Sequence, residues 1–268
     1  MSVALTAEGT KLTDDSPQMQ ALVRGNIRLA ATVMLIRDGT QGLEVFMVQR
    51  PSKGDFPDIH VFPGGKVDAD DSSSDICFGL GYTNASERLG VASGGLRYWI
   101  AVARECFEEC GVLLARKEGA PIVFDQDTAR RFHDHREHLL ANKISFSEIC
   151  RSEQIQVDCT RLQYFNHWIT PNQFRRRFDT RFFVATMPAD QSTHAHTFET
   201  VDDEWTKPGD ALANEDKGHW QIIDPTLYCL KTLDRYCSVK EALEDIKKGC
   251  HLMPPTESES IQGMQSRY

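Results

Sequence analysis

The chain has eight cysteines but no CxxC pair, and without that spacing a structural zinc site has no support in the sequence. Cys77, Cys106, Cys110, Cys150, Cys159, Cys229, Cys237 and Cys250 are scattered, which reads as a set of reduced thiols rather than a disulfide framework. No run of eighteen apolar residues occurs, so no spanning helix and no membrane partner are expected. The opening MSVALTAEGTKLTDD lacks a basic stretch followed by a long apolar one, so no secretory signal is expected. These absences point to a reducing, cytoplasmic setting. The terminal Ser266-Arg267-Tyr268 is a loose likeness to the peroxisomal address, which prefers a final leucine, so a peroxisomal setting is the second expectation. Positive charge is also short. Thirty Lys and Arg against 39 Asp and Glu give a net charge of −9, the wrong sign for a nucleic-acid backbone as main partner. An anionic small molecule would need local cations, either metal ions or clustered arginines.

What is present is an ordinary globular composition, 40% hydrophobic and 26% charged, in a chain long enough to bury a core without staples. No internal repeat is visible. LAATVMLIRD and LEVFMVQRP are β-rich runs separated by GTQG, a hairpin signal. HVFPGG follows, where Pro63 and two glycines turn the backbone and leave it open. Residues 71 to about 95 are rich in Ser, Gly, Asp and Asn and predict a loop or small subdomain. A helix is expected from near Leu96, with Tyr98, Ala101, Val102, Cys106 and Val112 near its apolar face. Gly111 stands where a left-handed residue would end it. VLLA (112–115) predicts a buried strand, and residues 127–142 and 145–154 predict helices. LQYFNHWITP and DTRFFVATMP predict strands, DEWTKPGDAL a strand-to-helix turn, and residues 225–248 a helical region. Strands and helices intermixed in this way predict an α/β or α+β sandwich. The expected organisation is an N-terminal arm (1–25), one domain (26–250) and a C-terminal tail (251–268).

The most informative stretch is RECFEECGV, residues 104–112. Glu105, Glu108 and Glu109 share one helical face, where like charges repel by a few tenths of a kcal/mol per pair. A solvated acidic face is the common explanation of such a cluster. Two neighbours argue for a cation instead. The glycine-rich FPGGKVD precedes the helix and can add a backbone carbonyl to an oxygen-only ligand set, the preference of hard divalent ions that also meet phosphates. Arg104 can hold one carboxylate through a two-pronged contact.

These residues resemble the Nudix hydrolases, whose box runs G, five residues, E, seven residues, then R-E-U-x-E-E-x-G-U with U apolar. Gly65 takes the first glycine, and Arg104, Glu105, Cys106, Glu108, Glu109, Gly111 and Val112 follow the second half in order. Two departures are plain. Asp71 stands at the position of the first glutamate, and 32 residues (72–103) separate it from Arg104 where the family has seven. The box is therefore split by an insertion, placed at about 72–94 and expected to protrude from the sandwich. A split box is similar to that of the peroxisomal-type coenzyme A diphosphatases. That subgroup is also similar in VQRPSKGDFPDIHVFPGGKVDADD and HWITPNQFRRRFDTRFFVATMP.

The resemblance implies an α/β/α sandwich around a mixed sheet, with extra C-terminal helices here. It implies metal-dependent hydrolysis, with Mg2+ or Mn2+, of a diphosphate linkage in a small nucleotide-type substrate. The Gly64 carbonyl, Glu105, Glu108 and Glu109 would hold the metal, with Arg104 beside them. Glu199 is the candidate for the late glutamate that some members use as base or extra ligand, and Asp202, Asp203 and Glu204 are its rivals. Arg50, Arg175, Arg176, Arg177 and Arg181 are candidates for gripping phosphate, since guanidinium forks suit phosphate oxygens, although an arginine run is more often a solvated loop. His194 and His196 flank a predicted loop, and Phe165 and Trp168 read as core. Three functions stay open: a diphosphatase of coenzyme A or acyl-coenzyme A, a hydrolase of ADP-ribose or nucleoside-diphosphate sugars, and a Nudix-fold binding module without catalysis.

Overall fold

The computed structural model describes residues 27–51, 58–170, 176–194, 202–249 and 251. The expected N-terminal arm lies outside them, as does the tail apart from His251. His251 is buried and donates from Nε2 to the Phe165 carbonyl at 2.8 Å, so the packed domain reaches at least to it.

Two long runs build the centre. β1 (Ile27–Gly39) and β10 (Arg177–Thr186) lie side by side in parallel, with Ala31 opposite Arg181 and Val33 opposite Phe183. Their apolar residues are nearly continuous because both faces of a central sheet are covered. β1 turns at Thr40 and Gln41 into antiparallel β2 (Gly42–Gln49), the hairpin expected from GTQG. β9 (Leu162–Ile169) borders β10, and β11 (Asp202–Thr206) borders β2. The resulting order is β11-β2-β1-β10-β9, with β3 (His60–Val61) on β2 and β4 (Gly64–Lys66) on β1.

Alternation along the strands separates two cores. Ala31, Val33, Leu35, Phe46, Val48, Phe183 and Ala185 face one side. There they meet α2 (Leu96–Cys110), α3 (Gln126–Leu140) and α4 (Phe146–Glu153). Met34, Ile36, Val45, Met47, Phe182 and Val184 face the other side. They are covered by α5 (Pro208–Asp216), α6 (Asp224–Leu233) and α7 (Val239–Lys248). The fold is therefore the expected α/β/α sandwich around a mixed sheet, with the extra helices at the C-terminal end forming one outer layer. No helix among the described residues is long and apolar enough to cross a membrane.

A second sheet corrects two expectations. β5 (Cys77–Phe78), β8 (Ile155–Asp158), β6 (Ala115–Lys117) and β7 (Ala120–Pro121) pair in that order. The insertion supplies β5 and α1 (Tyr82–Leu89), and it does not protrude. Ile76, Leu80, Ala85, Leu89 and Val91 are buried in the same core as the face of α2. Its many small and polar residues hid an i, i+4 apolar pair, Ala85 and Leu89, that is enough to seat a short helix. The VLLA strand is also revised. Val112, Leu113 and Leu114 are buried but irregular, and β6 begins only at Ala115. The side-chain amide of Gln191 replaces a strand partner, accepting from the Leu113 N–H at 2.8 Å and donating to its carbonyl at 3.0 Å. Buried backbone groups need such partners wherever a ladder is missing.

Candidate active site

The box helix α2 stacks its glutamates against β4. Gly65 lies directly under Glu105. A Cβ built there would stand 2.5 Å from Glu105 Oε1 and 2.6 Å from Oε2, so a side chain at 65 would push the Glu105 carboxylate from its place beside Arg104. Next to it, the Gly64 N–H donates to Glu109 Oε2 at 2.8 Å. Both glycines are held in place because β4 pairs with β1, with Gly65 opposite Ala31 and Gly64 opposite Thr32.

Arg104 organises the other carboxylates. Its Nε and Nη2 make a fork onto Asp71 at 2.9 and 3.0 Å, and Nη2 also donates to the Lys66 carbonyl at 2.7 Å. Its Nη1 reaches Glu105 Oε1 and Glu108 Oε2, both at 2.9 Å. Asp71 is 1% exposed and Arg104 5%. Asp71 therefore braces the arginine in spite of being one methylene shorter than glutamate and far from it in sequence. The insertion begins just after Asp71 and returns to α2, so it lengthens the chain between the partners without separating them in space.

The electrostatics follow from this crowding. Burial pushes the Glu105 carboxyl well above the ordinary range; Arg104 pulls the other way, and the negative charges of Glu109 and Glu108 add to the rise. Burial works against the charge on Arg104, but its bond to Asp71 and the nearby Glu105 and Glu108 outweigh it and raise the guanidinium further. The repulsion legible in the sequence is thus offset by one buried cation and one backbone N–H.

The far end of α2 is also held by a cation. Arg136 of α3, 5% exposed, donates from Nε to the Glu108 carbonyl at 2.9 Å and from Nη2 to the Glu109 carbonyl at 3.0 Å. These carbonyls lie in the last turn of a helix, where a cation is favourable. Gly111 closes the helix at φ 71°, with its N–H on the Phe107 carbonyl at 3.0 Å. Sequence reasoning missed Arg136. It lies in a polar run, TARRFHDHREHLL, where its spacing of four from Phe132 was the available signal that it faces inward.

Residues 82–233, more than half of the chain and including all of α2, match the family described as the NUDT19 Nudix domain. The chain belongs to that Nudix family. Among curated relatives, the acyl-coenzyme A diphosphatase NUDT19 of Xenopus laevis is 26% identical over 268 residues, covering 85% of this chain and 70% of the frog protein. The human protein of the same name is 25% identical over 247 residues, covering 78% of this chain and 64% of its own length. The chain thus spans about two thirds of these relatives. A Nudix hydrolase from Alicyclobacillus acidocaldarius, known from its crystal structure, superimposes with a TM-score of 0.68 at 25% identity, covering 81% of this chain and 96% of that one.

Nudix hydrolases generally need divalent metal, and the donor set here fits one in its chemistry: three carboxylates on one helix face beside an open glycine loop, oxygen throughout. The carboxylates are not held as a finished ligand cluster. Among the described residues no three His, Cys, Asp or Glu stand in a metal-binding group; Arg104 bonds Glu105 and Glu108, and the Gly64 N–H bonds Glu109.

The remaining candidates fall in different places. Arg50 is exposed at the end of β2, where its N–H donates to the Ile59 carbonyl at 3.0 Å. Arg176 is exposed, and Arg177 is half-buried with Nε on the Thr170 carbonyl at 2.8 Å. Arg181 corrects the expectation of a phosphate-gripping surface cation. It is 1% exposed, paired with Asp179 at 2.8 Å and set 5.4 Å from the centre of the Tyr98 ring. Position 181 faces the α2 side of the sheet, as Phe183 and Ala185 do, and the helix covers it. His167 Nε2 lies 2.8 Å from Asp179, completing a buried trio that sequence reasoning did not find. Arg175 and Glu199 lie outside the described residues, as does His196. The described chain before Glu199 ends with the His194 N–H on the Cys110 carbonyl at 2.8 Å, at the end of the box helix. It resumes at Asp202, opposite Gln49. Asp203 and Glu204 are exposed on that edge strand. Phe165 is core as expected, and Trp168 packs against the same core.

Proposed function

We propose that this chain is a divalent-metal diphosphatase that cleaves coenzyme A or acyl-coenzyme A to adenosine 3′,5′-bisphosphate and (acyl-)phosphopantetheine. The observation that carries it is the placing of Glu105 against Gly65 and Glu109 on the Gly64 N–H, with Glu108 tied to Glu105 through Arg104, which Asp71 braces. The frog and human relatives named as acyl-coenzyme A diphosphatases support the substrate. Mg2+ or Mn2+ suits the all-oxygen donors. When bound, such an ion neutralises phosphate charge and lowers the pKa of the attacking water.

The chain's own residues do the rest. Glu105, Glu108 and Glu109, with the Gly64 carbonyl, would hold the metal. Arg104 is fixed by Asp71 and the Lys66 carbonyl, so its Nη1 keeps the Glu105 and Glu108 carboxylates side by side. Glu199, with Asp202, Asp203 and Glu204 as rivals, is assigned as the base or a further ligand. Arg50 is assigned to the diphosphate, and Arg175, Arg176 and Arg177 to the more distant 3′-phosphate. Arg181 takes no part in binding.

A panel of coenzyme A, acetyl-coenzyme A, dephospho-coenzyme A, ADP-ribose and a nucleoside-diphosphate sugar, with products read by mass, tests this reading. Coenzyme A or its acyl form should give the highest kcat/KM. Replacing Arg175–Arg177 with alanine should raise KM for coenzyme A more than for dephospho-coenzyme A, as loss of a remote uniform contact does. Cleavage of the sugar nucleotide or ADP-ribose in preference to every coenzyme A form would replace this substrate with the alternative one.

A further inference from the structure

Outside the glutamate site, two cysteines 82 residues apart meet at the edge of the small sheet. The Sγ atoms of Cys77 and Cys159 are 2.7 Å apart. Cys77 belongs to β5, the strand contributed by the insertion, and Cys159 follows directly after β8, its parallel neighbour. The register puts Cys77 opposite Val157 and Phe78 opposite Asp158, and Cys159 opens the short 3-10 turn that follows directly. Cys77 is half-buried and Cys159 is 1% exposed. The other cysteines recorded as free in the structure are either fully buried or, like Cys237, exposed and elsewhere.

The pair is chemically unequal. The Cys77 thiol is pulled below its ordinary range first by its hydrogen bond with Cys159, against the effect of burial. Cys159 is pushed the other way by the same bond and by burial. Cys77 is thus the more acidic and the more exposed of the two thiols. A more exposed thiolate with a second thiol in contact is the arrangement of a peroxide-sensitive cysteine and its resolving partner.

We propose that Cys77 and Cys159 form a peroxide-responsive modification site that closes to a disulfide and staples the insertion to the rest of the small sheet. The Cys77 thiolate attacks one oxygen of a hydroperoxide. The O–O bond breaks, and the other oxygen leaves and takes up a proton, as water when the oxidant is hydrogen peroxide. The product is the Cys77 sulfenic acid. The Cys159 sulfur then attacks the Cys77 sulfur; its thiol proton and the sulfenic hydroxyl leave as water, and the S–S bond forms. Two thiols have lost two electrons in all, and the peroxide has accepted them. The sulfurs need to close only from contact to the bond length of about 2.05 Å. The bond would tie together a loop that contains the whole box helix, so it limits the unfolded chain.

The test treats the full chain with one to a few equivalents of hydrogen peroxide, alkylates the remaining thiols and maps peptides by mass. The expected result is a Cys77–Cys159 cross-linked peptide, a loss of two mass units, two fewer alkylated thiols, and reversal by dithiothreitol. The oxidised protein should melt at a higher temperature than the reduced one. In Cys159→Ser, Cys77 should instead be recovered as sulfenic acid, trapped by dimedone. The cross-link is read on the unaltered chain, so the test does not depend on the variant folding. Oxidation of Cys77 to sulfinic acid with Cys159 still alkylatable would overturn the proposal. So would a cross-link that joins other cysteines, or a Cys77 that peroxide leaves unchanged.

Discussion

Glu108 and Glu109 differ from surface glutamates in what their partners are. Each is held by a group that belongs to the site, Glu108 by Arg104 and Glu109 by the Gly64 N–H. Glu108→Gln and Glu109→Gln keep the size and an acceptor oxygen but remove the charge. Each should lower kcat by at least ~100-fold, the scale of one strong charge-stabilising contact, with circular dichroism unchanged because neighbouring repulsion falls. A kcat unchanged from the parent's in both variants would return the cluster to a solvated acidic face. Asp71 behaves differently. Removing its carboxylate leaves the Arg104 guanidinium buried with only part of its partners, and breaking a buried pair typically costs about 3–5 kcal/mol. Asp71→Ala should therefore lower the melting temperature as well as activity, and Asp71→Glu should recover both if the brace is what matters. A melting temperature unchanged in Asp71→Ala would show that Glu105 and Glu108 hold the arginine alone.

At the level of elements, the sequence was legible where period and punctuation agreed. The GTQG hairpin, the box helix ending at Gly111, the strands LQYFNHWITP and DTRFFVATMP, and the strand-to-helix turn at DEWTKPGDAL are all where pattern placed them. The insertion was misread because its composition spoke louder than its few apolar residues, and the buried VLLA because a single glutamine can stand in for a neighbouring strand. The Asp71 brace was visible only as a doubtful match, since the chain between Asp71 and Arg104 gives no hint that its ends meet. Deleting 72–94 should now leave no cooperative unfolding transition, and the milder Leu89→Ala should cost about 2–5 kcal/mol in denaturant melts. A deletion variant that melts cooperatively like the parent would restore the protruding loop. The β9–β10 pair carries a pH dependence. Burial lowers the pKa of His167 and outweighs the pull of its bond to Asp179, with Arg181 adding to the fall. The folded state thus binds its proton less readily than the unfolded state, so this contribution is complete above the ordinary histidine pKa of about 6.5 and is lost as pH falls below it. The ionised Asp179 only accepts, so the neutral ring donates from Nε2. Between pH ~7 and ~5 the unaltered protein should lose more stability than His167→Gln; parallel losses would remove His167 from the account.

On the scale of the whole molecule, the sandwich exists to bring one loop and one helix face together. β1 fixes the glycines of β4, the first core seats α2 over them, and α3 holds the helix end through Arg136. The net charge of −9 makes the local balance decisive, since an anionic substrate meets a site already rich in carboxylates. The account therefore stands or falls on a divalent cation being needed there. The direct measurement is coenzyme A hydrolysis by the purified chain, followed by product mass, after removal of metal with excess EDTA and again after Mg2+ or Mn2+ is restored. Adenosine 3′,5′-bisphosphate and phosphopantetheine should vanish with the chelator and return with either metal. Their formation at an undiminished rate in excess chelator would contradict the central claim.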